Sequence, residues 1–385
     1  MLPGLTAASP RTPPLTVFMT ADAVGGVWQY ALDLALDLDR RGIGVTLAVL
    51  GPEPSADQLR TARTIRGLDL RVMSVPLDWT ALTRGEVEAA AWRVAEEAAR
   101  SGAGLVHLNS PALAAIATFP APVVAVAHSC VATWWAAMRA SPLPPDLAWR
   151  AELAGEGYRR ADAVLAPTRA FAQATAAAYG LTAPPLVVPN GRRSPAERGH
   201  RTPGGAGPSP FAFTAGRLWD EGKNAAVLDR IAARLAPRPF LAAGPLDGPN
   251  AACFVPRHLR SLGRLSDQDM ARWLAGAPVY VSAARYEPFG LGVLEAASAG
   301  CALVLSDIPT FRELWDEAAI FLPADDDAGF ARTIEQVVGD GAIRARLGAA
   351  AKARAEAFTV EAMGAGVLAA YGRVLEAAPR AGASA

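Results

Sequence analysis

Lysine is nearly missing from this 385-residue chain: Lys223 and Lys352 are the only two, and arginine carries almost all of the positive charge. Nor does either sign prevail, since 37 Lys and Arg balance 37 Asp and Glu. A neutral chain has no long-range field with which to gather nucleic acid or a strongly anionic membrane, so neither is the expected main partner. Cysteine is scarce too, and Cys130, Cys253 and Cys301 are widely separated, odd in number and without metal-ligand spacing. This excludes a disulfide framework and a zinc site and fits a reducing compartment. No apolar run reaches membrane-spanning length: the richest stretch, 103–131, is broken by Pro111, Pro120 and Pro122 and carries His107, Asn109 and His128. Residues 1–14 show neither the charged start nor the apolar middle of a secretory leader and read as a short disordered tail, so a cytoplasmic protein is expected.

Hydrophobic residues make up 51% of the chain and charged ones 19%, which describes a globular protein. A chain this long outgrows a single core, so two domains of about 150 to 200 residues are expected. Short β-branched apolar runs alternate with longer amphipathic ones, the pattern of βαβ units feeding parallel sheets. Strands are expected near 15–20, 43–50, 70–76, 104–108, 122–127, 163–166 and 186–188, with helices between them; Gln29 to Arg41, stopped by Gly42, is one. Between Gly191 and Pro210 the composition turns to Gly, Pro, Ser and Arg without apolar periodicity, which reads as a linker. A second series of strands follows at 211–215, 239–243, 259–262, 278–283 and 302–305, closing in helices after Asp325. The expected units are therefore 1–195, a linker at 196–210, 211–358, and a final helix with its tail at 359–385. Two open parallel sheets whose strand ends face one another make a ligand cleft.

The densest chemistry lies between Val279 and Gly300. There a buried strand runs into a loop with Glu287 and then into a helix expected to start near Phe289, with Gly290 and Gly292 in its first turn. The free amides of Phe289, Gly290 and Leu291 suit phosphate or hydroxyl groups, and the glycines let a ligand approach. Glu295, about two turns in, and Glu287 would border one pocket and accept hydroxyl hydrogen bonds from a polyol. Read alone, the two acids are equally well ordinary residues favoured near a helix N-terminus. In Thr214 to Asn224, Arg217 and Lys223 stand on a strand-end loop that opens a helix, where a planar fork and a movable ammonium can share one diphosphate. Gly25 and Gly26 follow the first strand without the spaced third glycine of the dinucleotide fingerprint. His128 ends the apolar strand Val123 to Ala127 and projects at the cleft edge.

These segments resemble glycosyltransferase family 4, retaining enzymes of the GT-B fold, whose signature is a pair of glutamates separated by seven residues around Phe-Gly-Leu; Glu287, Phe289, Gly290, Leu291 and Glu295 match it. The resemblance implies two Rossmann-like domains facing across a cleft, with the acceptor on the first and the donor nucleotide on the second. It assigns Glu287 to the donor sugar, Glu295 to the ribose, Arg217 and Lys223 to the leaving diphosphate, Gly25 and Gly26 to a loop over the donor phosphates, and His128 to the active site. Asn190-Gly191 resembles the family's inter-domain turn, and the final helix one that crosses back onto the first domain. Pro288, Gly292 and the long linker depart from the family pattern.

The activity implied is transfer of a hexose-type sugar from a nucleotide-diphosphate sugar to a hydroxyl acceptor. No cofactor or metal is expected, because cations and helix amides carry the diphosphate charge. Asp325, Asp326 and Asp327 are read as a helix cap rather than a metal cluster. Trp134 and Trp135 read as core, as an acceptor platform, or as a membrane-facing patch that would give peripheral membrane contact. A nucleotide-sugar epimerase and a non-catalytic nucleotide-sugar-binding protein are the alternative functions.

Overall fold

In a computed structural model, residues 15–193, 211–276 and 279–377 are described. The expected linker at 196–210 lies outside them. The first domain alternates strands β1 (Thr16–Asp22), β2 (Gly44–Leu50), β3 (Leu68–Val72), β4 (Leu105–Leu108), β5 (Val123–Val126), β6 (Ala163–Ala166) and β7 (Leu186–Val187) with helices. Those helices are α1 (Gly26–Arg40), α2 (Ala56–Ala62), α3 (Arg84–Ser101), α4 (Val131–Met138), α5 (Pro145–Arg160) and α6 (Arg169–Tyr179). All seven strands are parallel, in the order β3-β2-β1-β4-β5-β6-β7.

The second domain holds β8 (Ala212–Ala215), β9 (Phe240–Ala243), β10 (Arg260–Ser261), β11 (Val279–Ser282), β12 (Ala302–Ser306) and β13 (Ala319–Leu322), again parallel, in the order β10-β9-β8-β11-β12-β13. Its helices are α7 (Ala225–Leu235), α8 (Asp267–Gly276), α9 (Leu291–Ser298), α10 (Pro309–Trp315), α11 (Asp327–Gly339) and α12 (Gly341–Ala355). A last helix, α13 (Val360–Ala377), does not pack on this sheet. Its Met363, Val367, Ala370, Tyr371 and Val374 enter the first domain's core beside Val17, Met19 and Leu34.

Three sequence expectations need correction. β13 and α10 were not among the expected elements, although Ile320, Phe321 and Leu322 before Pro323 form a short apolar run of the right kind. Helix α9 begins at Leu291 rather than near Phe289, because Gly290 takes a left-handed φ of 92° as its N-cap and Phe289 turns into the core. Glu295 consequently sits one turn into the helix rather than two.

Apolar residues recur along α1 at helical spacing, Trp28, Ala31, Leu32, Ala35 and Leu38, and this stripe seats the helix on the first sheet. Asp33 and Asp37 are buried within the same helix, and carboxylates so placed need cationic partners. Arg41 pairs with Asp37 at 2.7 Å; the partners of Asp33 belong to the site. In each sheet the order reverses beside the first strand, between β1 and β4 and between β8 and β11. A crevice opens at that reversal beyond the strands' carboxyl ends; Gly25, Arg217 and Glu287 follow β1, β8 and β11, while His128 follows the neighbouring β5.

Candidate active site

Two loops meet across the cleft. From the first domain, Gly25 and Gly26 join β1 to α1. A Cβ at Gly25 would lie 2.9 Å from an Arg217 guanidinium nitrogen, and one at Gly26 would lie 3.1 Å from Leu291 Cδ1. The absence of side chains on both glycines therefore lets the β1 loop close directly over the second domain's arginine and over the start of α9.

Arg217 follows β8. One Nη donates to Asp220 Oδ2 at 2.9 Å, while its buried Nε has no hydrogen-bond partner. A buried donor without an acceptor is costly, and it is the feature an incoming anion would satisfy. Burial alone would raise the Asp220 carboxyl, but the charges of Lys223 and Arg217 outweigh it and hold the group below its ordinary range. Asp220 also accepts from Gly222 N at 2.9 Å, which shapes the turn Glu221–Lys223 and aims Lys223 into the cleft. There Lys223 Nζ donates to Glu287 Oε2 at 2.5 Å. Asn224, with φ 58°, ends that turn and donates to the carbonyls of Ala283 and Ala324 at 2.9 and 3.0 Å, tying the cationic loop to the end of β11.

The Glu287 loop is held from both domains. Thr310 Oγ1 donates to Glu287 O at 2.6 Å, and Thr168 Oγ1, the fully buried N-cap of α6, donates to Pro288 O at 3.1 Å. Glu313 on α10 accepts from Arg169 N and Ala170 N, each at 2.8 Å, and so caps a helix of the other domain. Tyr286 reaches from the loop onto α4, its hydroxyl 2.8 Å from Thr133 Oγ1 and 3.2 Å from both Ser129 Oγ and Cys130 N. The residues beside His128 thus touch the residue beside Glu287.

Asn109 fixes the proton of His128. Its Nδ2 donates to Thr20 O at 2.6 Å, so its Oδ1 is the atom 2.7 Å from His128 Nε2, and that nitrogen must be the donor. Burial pushes the His128 imidazole down to about 3, with the neighbouring His107 adding to the effect, so the ring is neutral. Tyr30 packs edge-on against it, with ring centroids 4.5 Å apart. Asp22, at the end of β1, is raised by burial against the opposing attraction of Arg217. Sequence reasoning assigned Asp22 no role, although an acid ending a strand at the reversal point was the available signal.

Glu295 is engaged by Arg192, whose Nε and Nη2 donate to Oε1 at 2.8 and 2.5 Å. Arg192 was missed, because after Asn190-Gly191 it read as part of a linker. Gly292 was read as a ligand approach, but a Cβ there would lie 2.7 Å from the Tyr280 hydroxyl, which donates to Ala215 O at 3.1 Å. Its small size serves packing of α9 on β11. Trp134 and Trp135 are half-buried, and Arg139, which lies over both rings, pairs with Glu221 of the second domain at 2.6 Å, so the two rings stand beside an inter-domain contact. Among the three acids, Asp326 caps α11 through Gly329 N, while Asp325 and Asp327 pair with arginines. Among the described residues no three His, Cys, Asp or Glu side chains are grouped as a metal would require, and no helix is long and apolar enough to cross a membrane.

The chain brings together Arg217, Lys223, Glu287, Gly290, Leu291, Gly25 and Gly26 around one crevice, with His128 at its rim and Glu295 a turn deeper. Comparison with known proteins gives this arrangement a context. A profile of Glycosyltransferase Family 4 matches residues 24–193, and one of Glycosyl transferases group 1 matches 209–340. The phosphatidyl-myo-inositol mannosyltransferase of Mycolicibacterium smegmatis is 32% identical over 117 residues, 30% of this chain and 30% of that protein. The glycogen synthase of Mycobacterium tuberculosis is 35% identical over 102 residues, 26% of this chain and 25% of that one. The chain thus aligns with under a third of the length of these curated relatives. Sucrose-phosphate synthase from Thermosynechococcus elongatus superposes with a TM-score of 0.74 at 18% identity, over 94% of this chain and all of that one. Anabaena HepE in complex with UDP-glucose gives 0.67 at 18% identity, covering 93% and 100%. At such identities the likeness establishes the fold.

Proposed function

Since the chain belongs to glycosyltransferase family 4 and has the GT-B fold, we propose that it is a retaining enzyme that moves a hexose-type sugar from a nucleotide-diphosphate sugar to a hydroxyl acceptor, without a metal. The observation that carries the reading is the convergence of Lys223, Arg217 with its unpartnered Nε, and the first turn of α9 on one crevice. Three kinds of donor bordering one crevice suit a pyrophosphate.

As the bond between sugar and phosphate breaks, negative charge grows on the diphosphate. Arg217, Lys223 and the α9 amides would stabilise it, more strongly once the cleft closes and excludes water. Lys223 would leave Glu287 for the phosphates, releasing that carboxylate to the donor sugar's hydroxyls. His128, neutral and donating from Nε2 to Asn109, would border the sugar from the first domain, and the acceptor hydroxyl would attack from the face that the phosphate leaves. Anabaena HepE, which shares the fold, has been solved in complex with UDP-glucose, which supports a nucleotide sugar as donor.

The test is acceptor-dependent release of nucleoside diphosphate. A panel of uridine, guanosine and adenosine diphosphate sugars is first ranked by thermal shift, since a ligand that binds only the folded chain raises its melting temperature. Turnover with sugar acceptors, unaffected by EDTA, is expected. Conversion of the donor to an epimer without acceptor would replace this reading.

A further inference from the structure

Arg192 is among the most deeply buried charges of the molecule, with its side chain 3% exposed, and it joins the two domains. Besides Glu295 of α9, it donates from Nη1 to Asp33 Oδ2 at 2.6 Å and to Gln29 Oε1 at 2.9 Å, both on α1. Arg193 donates to the other Asp33 oxygen at 3.1 Å. The backbone beneath is equally constrained: Arg192 N donates to Phe358 O at 3.1 Å, and a Cβ at Gly191 would fall 2.0 Å from Thr359 O. The chain therefore passes between the domains in both directions at the spot where this arginine sits. Helix α1 begins at the Gly25-Gly26 loop and α9 at Gly290, so Arg192 ties together the two helices that open onto the crevice.

We infer that Arg192 is a positioning residue: it sets the Glu295 carboxylate for the nucleotide's ribose hydroxyls, and it does so only while α1 holds the place that Asp33 defines. This rests on the proposed function and deepens it. A planar guanidinium spends its Nε edge on Glu295 and its far Nη on α1, and a lysine cannot hold both ends, having one nitrogen for two directions. Removing Asp33 leaves the fork on Glu295 but frees its far end, a milder fault.

Binding to the intact chain, measured by calorimetry, compares the best nucleoside diphosphate of the panel with its 2′,3′-dideoxy counterpart. The ratio of the two dissociation constants reports only on groups facing the ribose, and a general loss of stability does not change it. For wild type the ribose form is expected to bind about tenfold tighter, the size of a hydrogen bond to a charged group. Arg192→Lys is expected to bring the ratio near one, Asp33→Asn to lower it in part, and Lys223→Ala to weaken both ligands while keeping it. A wild-type ratio of one, or an Arg192→Lys or Asp33→Asn protein that keeps the full ratio, overturns the inference and leaves the transferase reading standing. Should Arg192→Lys not fold, Asp33→Asn and the wild-type ratio decide. Failure of every nucleoside diphosphate to bind sinks the functional reading itself.

Discussion

Lys223 illustrates how much a single side chain is asked to do. It pairs with Glu287 at 2.5 Å, and both are about one-fifth exposed. In the proposed reaction its ammonium meets a diphosphate whose negative charge grows as the sugar departs, so removing it costs more transition-state than ground-state stability. Lys223→Ala is expected to lower kcat about 100-fold or more, the usual loss of one such donor, with a smaller change in donor KM; steady-state kinetics on the ranked donor read both. His107 makes a separate point about titration. It is fully buried between Tyr371, whose hydroxyl is 2.8 Å from Nδ1, and Tyr30, 3.4 Å from Nε2, and burial pushes it down to about 3. The unfolded chain binds this proton below about pH 6.5 and the folded chain only near 3, so stability falls as pH drops through that window, by about 1.4 kcal/mol per unit well inside it. Denaturant unfolding at pH 5 and pH 7 should show the summed slope of His107 and the similarly lowered His128, and His107→Gln should remove about half of it.

Among the elements, what could be read from the sequence divides along physical lines. Strands such as β5 and β12 were legible because a buried parallel strand is a short continuous apolar run. β13 offers a run of only three residues, Ile320 to Leu322, and α10 at seven residues is too short for periodicity to show. The glutamate spacing, the Arg217 to Lys223 loop and the paired glycines were visible because each motif is contiguous in sequence and stands at the end of a legible strand. Arg192, Thr168, Tyr286 and Glu313 were not, since each acts on a partner more than 100 residues away. Gly292 shows a motif glycine with an unsuspected partner. Gly292→Ala would drive a methyl into the Tyr280 hydroxyl and is expected to cost about 1 to 3 kcal/mol. Tyr280→Phe removes the obstructing oxygen, so a double-mutant cycle by chemical denaturation should show positive coupling between the two.

At the scale of the whole molecule, the two sheets are joined by polar contacts rather than by a shared core, because the main apolar clusters lie within one domain or the other. An interface of that kind is compatible with opening and closing, and transfer in place of hydrolysis demands a closed cleft while the donor is cleaved. The Arg139–Glu221 pair is partly exposed and contributes little. Tyr286 is a stronger candidate for the fastening: its hydroxyl meets three groups at the start of α4, and its ring packs edge-on against Phe171 at 6.2 Å. Tyr286→Phe keeps the ring and deletes the hydroxyl, leaving Cys130 N and Thr133 Oγ1 to find other partners. The lost bonds should weaken closure by about 1 to 2 kcal/mol without touching Arg217 or Lys223. Donor binding would then change little, while water would reach the cleaving donor more often. The expected outcome is a several-fold larger share of free sugar relative to transferred sugar, with the chain more extended in small-angle scattering. An unchanged product ratio in a variant that binds donor normally would assign closure to the Glu313 cap and Arg192 instead.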